Sequence, residues 1–485
     1  MRRNPIALAA SGVLLSGCTL IPRYTRPEPP VPGSWPASAA PEAAAPEAAA
    51  ATPAADIPWR EFFTDDRLRS VIETALANNR DLRAASLTVE KVEALYRIQR
   101  SELYPGVGVQ IAGERIRVPE KASTTGGAYT ASQYSAQIGT VAWELDFFGR
   151  LRSLEASALE RYFATEQGRL AAQIALIAAT ARAYLALAAD MESIRWAQAA
   201  HEAQRASLEL IRASADAGIV SDLDVRQSES LMEAARADVA RYTGFATVGR
   251  NTLDRLAGTT IPEELLPEGL GAVTGPEPLA PGLPSEVLLR RPDILAAEHE
   301  LRAMNANIGA ARAAFFPRIA LTAGAGTLST DLSSLFGSGT GTWTFIGQAL
   351  APIFASGSLK ANLEAAKLDR EIALARYEKA IQAAFSEVSD GLMLRSTLVE
   401  QRGAQEALVR ALEETHRLSD ARYKAGLDGY LGVLVAERAL LVARQGLVGV
   451  RLAEQANLVT LYEALGGGVC DDAAYEGGDT DLTGG

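Results

Sequence analysis

Reactive groups are sparse in this chain of 485 residues. The three histidines, His201, His299 and His416, lie far apart in helical patterns without companion cysteines, and they read as ordinary helix residues rather than metal ligands or catalytic bases. No Ser/His/Asp set, no Gly-rich phosphate loop in a strand-to-helix context and no HExxH motif is present, so enzymatic chemistry is not indicated. The run GSGTG at Gly337 to Gly341 lies between two alternating stretches and reads as a hairpin loop. What remains is electrostatic. One turn, DAGIVSDLDVRQSE, gathers Asp216, Asp222 and Asp224; another, RYKAGLDGYLGVLVAERAL, carries Arg422, Tyr423, Lys424, Asp428, Tyr430, Leu431, Glu437 and Arg438. Carboxylates facing a narrow passage form a cation-favouring, mutually repelling constriction, and salt bridges across it can latch it shut. The same charges equally suit a solvated helix end, with Asp222 or Asp224 capping a helix N-terminus.

The two cysteines differ in context. Cys470 sits in a Gly/Asp-rich tail, whereas Cys18 follows Arg2 and Arg3, an apolar stretch from Ile6 to Leu15, and the small residues Ser16 and Gly17. This is the layout of a secretory signal peptide. Leu15-Ser16-Gly17-Cys18 resembles the bacterial lipobox, whose cysteine is lipid-modified and becomes the new N-terminus, and Thr19 after it favours export to the outer membrane. An acylated Cys18 leaves Cys470 without a partner, so disulfides play no part.

The formal net charge of −12 and the lack of any long Lys/Arg run argue against a nucleic-acid partner. With 48% hydrophobic and 22% charged residues the composition is that of a folded chain. After Cys18 a Pro/Ala/Glu-rich stretch without apolar periodicity reads as an extended, mobile tether. From Leu68 to Tyr96 apolar residues recur at three- and four-residue steps, which predicts one long amphipathic helix ending before Pro105. Alternation follows, with Val107, Val109 and Ile111 on one side, and resumes over Gln133 to Asp146; together the two runs predict a hairpin. Helical periodicity then continues from Leu151 to about Ala215, roughly 100 Å if it is a single helix. Within it, Leu170 to Ala189 rivals a membrane span but contains Gln173 and Arg182.

The second half repeats the first. With an offset of 212, Pro317 falls on Pro105, Asp293 on Asp81 and Phe316 on Tyr104; with an offset of 208, Gly357 falls on Gly149, Gly426 on Gly218 and Gly466 on Gly258. The repeated unit is helix, hairpin, very long helix, tight turn, helix. The expected divisions are a signal peptide over 1–17, a lipidated tether over 18–60, a first repeat over 61–260 with strands near 105–118 and 133–146, a connector over 261–284, a second repeat over 285–468 with strands near 317–328 and 341–353, and a tail over 469–485.

Each alternating run is long enough for a tilted strand to cross a bilayer, and its apolar and small-or-polar sides are those of a transmembrane barrel. Four strands cannot close a barrel, and an open edge cannot sit in lipid, so several chains must share one: two would supply eight strands and three would supply twelve. The aromatic-proline steps ending in Tyr104 and in Phe315 and Phe316 then mark the membrane interface, and the long helices hang into the periplasm.

LSGCTLIPRYTRPEPP, WREFF, NNRDLRAA, WELDFFGRLRS, LLRRPDILAAEHELRAMNANIGAARAAFFPRIALTAGAG, FASGSLKANLEAAK and YEKAIQAAFSEVSDGL, in this order, resemble the TolC-like outer-membrane efflux factors, specifically their OprM-type (NodT-like) lipoprotein branch. The resemblance covers nearly the whole mature chain. It implies an α+β membrane protein in which three chains share a twelve-stranded barrel above a periplasmic helical coiled-coil barrel. It implies a passive exit duct that receives substrates from an inner-membrane pump of the RND type through a periplasmic membrane-fusion adaptor, with no cofactor or metal beyond the lipid on Cys18. In such a homotrimer each tip residue becomes a ring of three. Leu431 and Arg438 match constriction and latch positions of the branch, but Val435 stands where its acidic partner is expected, leaving Glu437 or Asp222 and Asp224 to replace it. With five Met and three His, drugs or small organic compounds suit the duct better than copper or silver.

Overall fold

The computed structural model describes residues 19–35, 54–124, 126–273 and 285–468; the signal peptide, Cys18 and the tail after 468 lie outside the described residues. In chain order the helices are α1 (Trp59–Phe62), α2 (Asp66–Asn78), α3 (Arg80–Ser101), α4 (Arg150–Asp216), α5 (Asp222–Ala257), α6 (Pro292–Ala313), α7 (Ser358–Lys424) and α8 (Leu431–Ala464). The strands are β1 (Gly108–Val118), β2 (Tyr129–Leu145), β3 (Arg318–Ser329) and β4 (Gly341–Leu350). Duplication is visible in the elements themselves. Helices α4 and α7 have 67 residues each, and Gly149, Gly357, Gly218, Gly426, Gly258 and Gly466 all take φ between 69° and 83°. These are the left-handed positions at which a residue without Cβ ends or begins a helix at least strain.

Two compact units divide the chain. The first comprises the N-terminal segment to Glu28, Thr88–Glu166 and Ala296–Tyr377; the second comprises Pro29–Leu87, Gln167–Leu295 and the chain from Glu378. In the first, the strands form one antiparallel sheet in the order β1-β2-β3-β4. Strand β2 begins at Tyr129, earlier than alternation predicts, and β4 ends at Leu350 because Pro352 just beyond cannot donate to a ladder. Between Thr140 and Trp143 the register shifts at a bulge, where Ala142 has φ 51° and donates its N–H to Thr322 Oγ1 at 3.0 Å.

The N-terminal segment corrects one expectation. Thr19 to Trp35 has no helix or strand and bends at 30–31 and 33–34, but it is not a free tether: Asn305 Nδ2 donates to Pro22 O at 2.8 Å and Arg312 Nη1 to Leu20 O at 3.1 Å within the first unit, and Trp35 stacks on Phe385 at 4.9 Å in the second.

A second correction concerns the first helix, which is two. Asn79 adopts an extended conformation (φ −61°, ψ 132°), its N–H ends α2 on Ala75 O, and its Oδ1 accepts from Leu82 N at 2.8 Å to cap α3. The apolar period continues through the break and hides it. Asn79 Nδ2 also donates to Leu256 O, at the end of α5, at 2.9 Å. In the other repeat Arg291, before α6, sends Nη1 to Ala464 O at the end of α8 at 2.7 Å. The two joints correspond, but Arg291 also pairs with Asp293 at 2.7 Å and Glu387 at 2.9 Å.

Around these joints lies the second unit's core. Phe62 stacks on Tyr462 at 4.0 Å, and Tyr462 donates its hydroxyl to Ile57 O at 2.6 Å. The apolar stretch of α4 that rivals a membrane span belongs to this core: Ile177, Ala181, Tyr184, Leu185 and Ala188 are at most 1% exposed, and Arg182 pairs with Glu463 at 2.6 Å.

Candidate functional site

The sheet sorts its side chains by face. Cross-strand rows run Val109, Ile138, Ala325, Trp343, and next to it Thr140, Ala323, Phe345; on the other face run Gly108, Gly139, Gly324, Thr344 and Gln110, Gln137, Gly326, Thr342. Apart from Thr140 these rows make the first face apolar and open: Val109 is 70%, Ile138 55%, Trp343 77% and Phe345 65% exposed. The second is small and polar, and over it lies a concavity of about 470 Å³ that touches Gln110, Gln137, Thr322 and Thr344. Apolar outside and polar within the curve is the arrangement of a lipid-facing wall around an aqueous lumen. Strands β1 and β4 are the two ends of the strand order, so each keeps one edge unpaired within the chain.

Next to the sheet, in the same unit, both chain crossings from helix to strand end in aromatics. Tyr104 is 60%, Phe315 44% and Phe316 41% exposed, and Phe316 stacks on Phe148 at 4.8 Å.

The two tight turns of the second unit are built alike. Ile219 N donates to Ser214 O at 2.9 Å across Gly218, and Leu427 N to Arg422 O at 3.0 Å across Gly426. Both close a helix C-terminus by a six-to-one bond over a left-handed glycine. In the first turn Ser221 caps α5 with Asp224 as its partner: the Asp224 carboxylate accepts from Ser221 N at 3.0 Å and Ser221 Oγ at 2.7 Å. The serine hydroxyl and N–H hold that carboxyl below its usual range. Asp224 thus fills the capping role weighed for it, while Asp216 and Asp222 are exposed.

In the second turn Arg422 clasps Asp428, with Nη2 to Oδ1 at 3.1 Å, and this hydrogen bond holds the Asp428 carboxyl low. Lys424 pairs with Asp420 at 2.7 Å. Tyr423 and Tyr430 meet edge to face at 4.8 Å, and the Tyr430 hydroxyl bonds Ser207 of α4. Leu431, Val435, Arg438 and Val442, at helical spacing, form an exposed stripe on α8; Leu431 is 51%, Val435 61% and Val442 60% exposed.

Glu437 does not lie on that stripe. It is half-buried and turned toward its own chain, where burial pushes its carboxyl pKa up and the His416 charge and the Gln204 amide oppose the rise. As a stand-in for the acid missing at Val435 it therefore points the wrong way. A raised carboxyl favours the packed tip while protonated, so its contribution is present below the usual carboxylate value of 4.5 and is lost as pH rises through the raised value. The protection of the Leu431 to Leu440 amides against hydrogen exchange, relative to their intrinsic rates, should fall as pH rises above the usual carboxylate value of 4.5, and Glu437→Gln should flatten that dependence. An unchanged profile in the variant would remove Glu437 from the account.

Among the described residues no group of three His, Cys, Asp or Glu side chains is placed to hold a metal.

A duplicated chain that joins a four-stranded antiparallel sheet to two helices of 67 residues is the architecture of an outer-membrane export channel. Residues 71–259 and 283–467, one segment in each half, match the family described as outer membrane efflux protein, and the chain belongs to that family. It is 47% identical over 469 residues, 96% of either chain, to the probable efflux pump outer membrane protein TtgC of Pseudomonas putida. It is 39% identical to the outer membrane protein OprJ of Pseudomonas aeruginosa, over 96% of this chain and 97% of that one. The open state of the MtrE outer membrane channel of Neisseria gonorrhoeae superposes with a TM-score of 0.84 at 38% identity, covering 93% of this chain and 99% of that one. The chain is a TolC-like outer-membrane efflux factor, an exit duct for an efflux pump and not an enzyme.

Proposed function

We propose that three copies close one twelve-stranded barrel and form a duct through which small toxic organic compounds leave the cell, delivered by an RND-type inner-membrane pump and a periplasmic adaptor. The observation that carries this reading is the four-stranded sheet with an apolar face, a small-and-polar face and two unpaired edges. Each edge is completed by the other edge of a neighbouring copy, a head-to-tail contact that closes into a ring. Detergent-extracted protein should run as a trimer, and cysteines placed on β1 and β4 should crosslink between chains; a monodisperse monomer in mild detergent would refute the shared barrel.

Acylation of Cys18 adds an anchor in the outer membrane. The substrate class follows the relatives, which include a toluene efflux pump outer membrane protein, an antibiotic efflux pump outer membrane protein and a solvent efflux pump outer membrane protein of Pseudomonas putida. Drug and solvent sensitivity of a deletion strain, set against its metal sensitivity, tests that assignment.

The gate lies at the two glycine turns. Threefold rings of Asp216 and Asp222 make the entrance cation-favouring, while Leu431, Val435 and Arg438 narrow it; the Arg422 to Asp428 clasp and the Tyr430 to Ser207 bond hold the second tip in shape. Replacing Asp216, Asp222 and Arg438 together should change bilayer conductance severalfold and shift ion selectivity. No change in either would discard this assignment.

A further inference from the structure

Toward the β1–β2 loop the alternation of the sheet reverses. The β1 to β2 register is unbroken from Gly108 to Val118, so the face of Val109 and Ile111 continues through Gly113 to Arg115 and Arg117, while Glu114, Ile116 and Val118 take the lumen face. Before Gly113 apolar side chains point outward and small or polar ones inward; after it two cations point outward and two aliphatic residues inward. Both arginines are exposed, and among the described residues they are the only charged side chains on the outward face of the four strands. Among the described residues neither guanidinium has an ion-pair or hydrogen-bonding partner. Ser132 and Thr130 of β2 stand directly across from Arg115 and Arg117 and add two hydroxyls to the patch.

The reversal falls where the hydrocarbon ends. On β3, ten steps separate Ile319, which pairs with Leu145, from Ser329, which pairs with Tyr134. At about 3.3 Å a step and a tilt of about 35° to 45° they rise about 23 to 27 Å, against an apolar band of about 25 Å in such barrels. Tyr134 also pairs with Gly113, where a Cβ would stand 3.1 Å from Tyr134 Cδ1 and 3.2 Å from its Cε1. The ring thus lies across the glycine on the outward face, as an aromatic at a membrane boundary does. Arg115 occupies the next outward row beyond it. Cations at that height escape the hydrocarbon and meet the headgroups of the outer leaflet.

We propose that Arg115 and Arg117, with Ser132 and Thr130, bind a phosphate of the phosphorylated glycolipid that forms the outer leaflet of the outer membrane, one site on each chain. This rests on the shared barrel proposed above. Two strand steps set the arginine stems about 7 Å apart, close enough for both forked guanidinium groups to turn onto one phosphate, with the hydroxyls opposite taking its remaining oxygens. The acyl chains of the same molecule run down the open apolar ribbon of Ile111 and Val109 directly below, a match that a soluble phosphate lacks. Because β1 is an end of the strand order, the bound lipid lies beside the seam between two copies. The rival partner is the carboxylate of Asp331 from the β3–β4 loop of an adjoining copy.

The test uses full-length trimer in mild detergent, stripped of glycolipid, and compares wild type, Arg115→Gln/Arg117→Gln and Glu114→Gln, the last removing a charge from the lumen face of the same strand. Titrated with bisphosphorylated lipid A and read by native mass spectrometry, wild type and Glu114→Gln should bind at least about tenfold more tightly than the double variant. Lipid A stripped of its phosphates should bind all three alike. Equal lipid A affinity in wild type and the double variant, or the same loss in Glu114→Gln, overturns the site; if Asp331→Asn then lowers trimer stability as far as the double variant does, the arginines serve an ion pair between copies. A difference that persists with phosphate-free lipid A overturns phosphate recognition, and displacement of lipid A by equimolar inorganic phosphate overturns the glycolipid as the occupant. Should the double variant fail to trimerise, Arg117→Gln alone replaces it, with a loss of about threefold expected and equal affinity again overturning the site. Unheated gels separate the two readings: wild-type trimers indifferent to lipid A phosphate remove this inference alone, whereas absence of a wild-type trimer removes the shared barrel.

Discussion

Gly326→Val should abolish the barrel, leaving no heat-resistant trimer in the outer membrane and no conductance in reconstituted bilayers. A Cβ on Gly326 would run into the Ala136 carbonyl of β2, and one on Gly139 into the Ala323 carbonyl of β3. Both contacts are with backbone, which cannot swing aside as a long side chain can. The strands would have to part by a fraction of their normal spacing, breaking ladder bonds between β2 and β3. In lipid each freed N–H or C=O costs several kcal/mol because no water replaces the partner. Gly324, in the same interior strand β3, would set its Cβ no nearer than 3.4 Å to any atom, an ordinary contact, so Gly324→Ala should assemble normally. Trimer content by unheated gel electrophoresis distinguishes the two, and assembly of Gly326→Val at wild-type levels would contradict the register described above.

The second large effect is expected at the joints between repeats and return helices. Arg291→Ala removes a cation only 9% exposed, orphans the Ala464 carbonyl and leaves Asp293 and Glu387 without their common partner. Since those carboxylates are 43% and 52% exposed and can rehydrate, the loss should be about 2 to 3 kcal/mol rather than the larger figure for a sealed charge. Asn79→Ala, at the corresponding joint, removes a helix cap and one neutral bond to Leu256, about 1 to 2 kcal/mol. Thermal unfolding of both variants in one detergent measures the difference. Equal losses would mean that the ion pairs of Arg291 add nothing to its bond to the Ala464 carbonyl.

Much of this architecture was legible because duplication supplies an internal control. Three glycine pairs at one fixed offset recur as three pairs of left-handed residues, and the prolines at 105 and 317 precede strands in both halves. What escaped was whatever lacked a period. The N-terminal segment has none, and its partners on α6 lie more than 270 residues away in sequence. The break at Asn79 leaves the apolar spacing intact, although an asparagine three residues before Leu82 is the cap signature that reveals it. The bulge at Ala142 could have been found, since Ile138 and Thr140 share a face with Trp143 and Leu145 despite the opposite parity. At the tips, sequence brought the charged residues to the right turns but could not say which way each faced: Asp224 turns back to cap its own helix and Glu437 into its own bundle.

The unpaired edges of β1 and β4 carry a genetic consequence. With three chains per barrel, as proposed, a defective copy that keeps one sound edge still joins its neighbours and ruins the whole ring. If half the chains in a cell were such copies and mixing were random, only about one barrel in eight would be built entirely of good subunits. Mutations in the strands should therefore be dominant, and silencing this channel in a resistant cell would require poisoning only a minority of its chains.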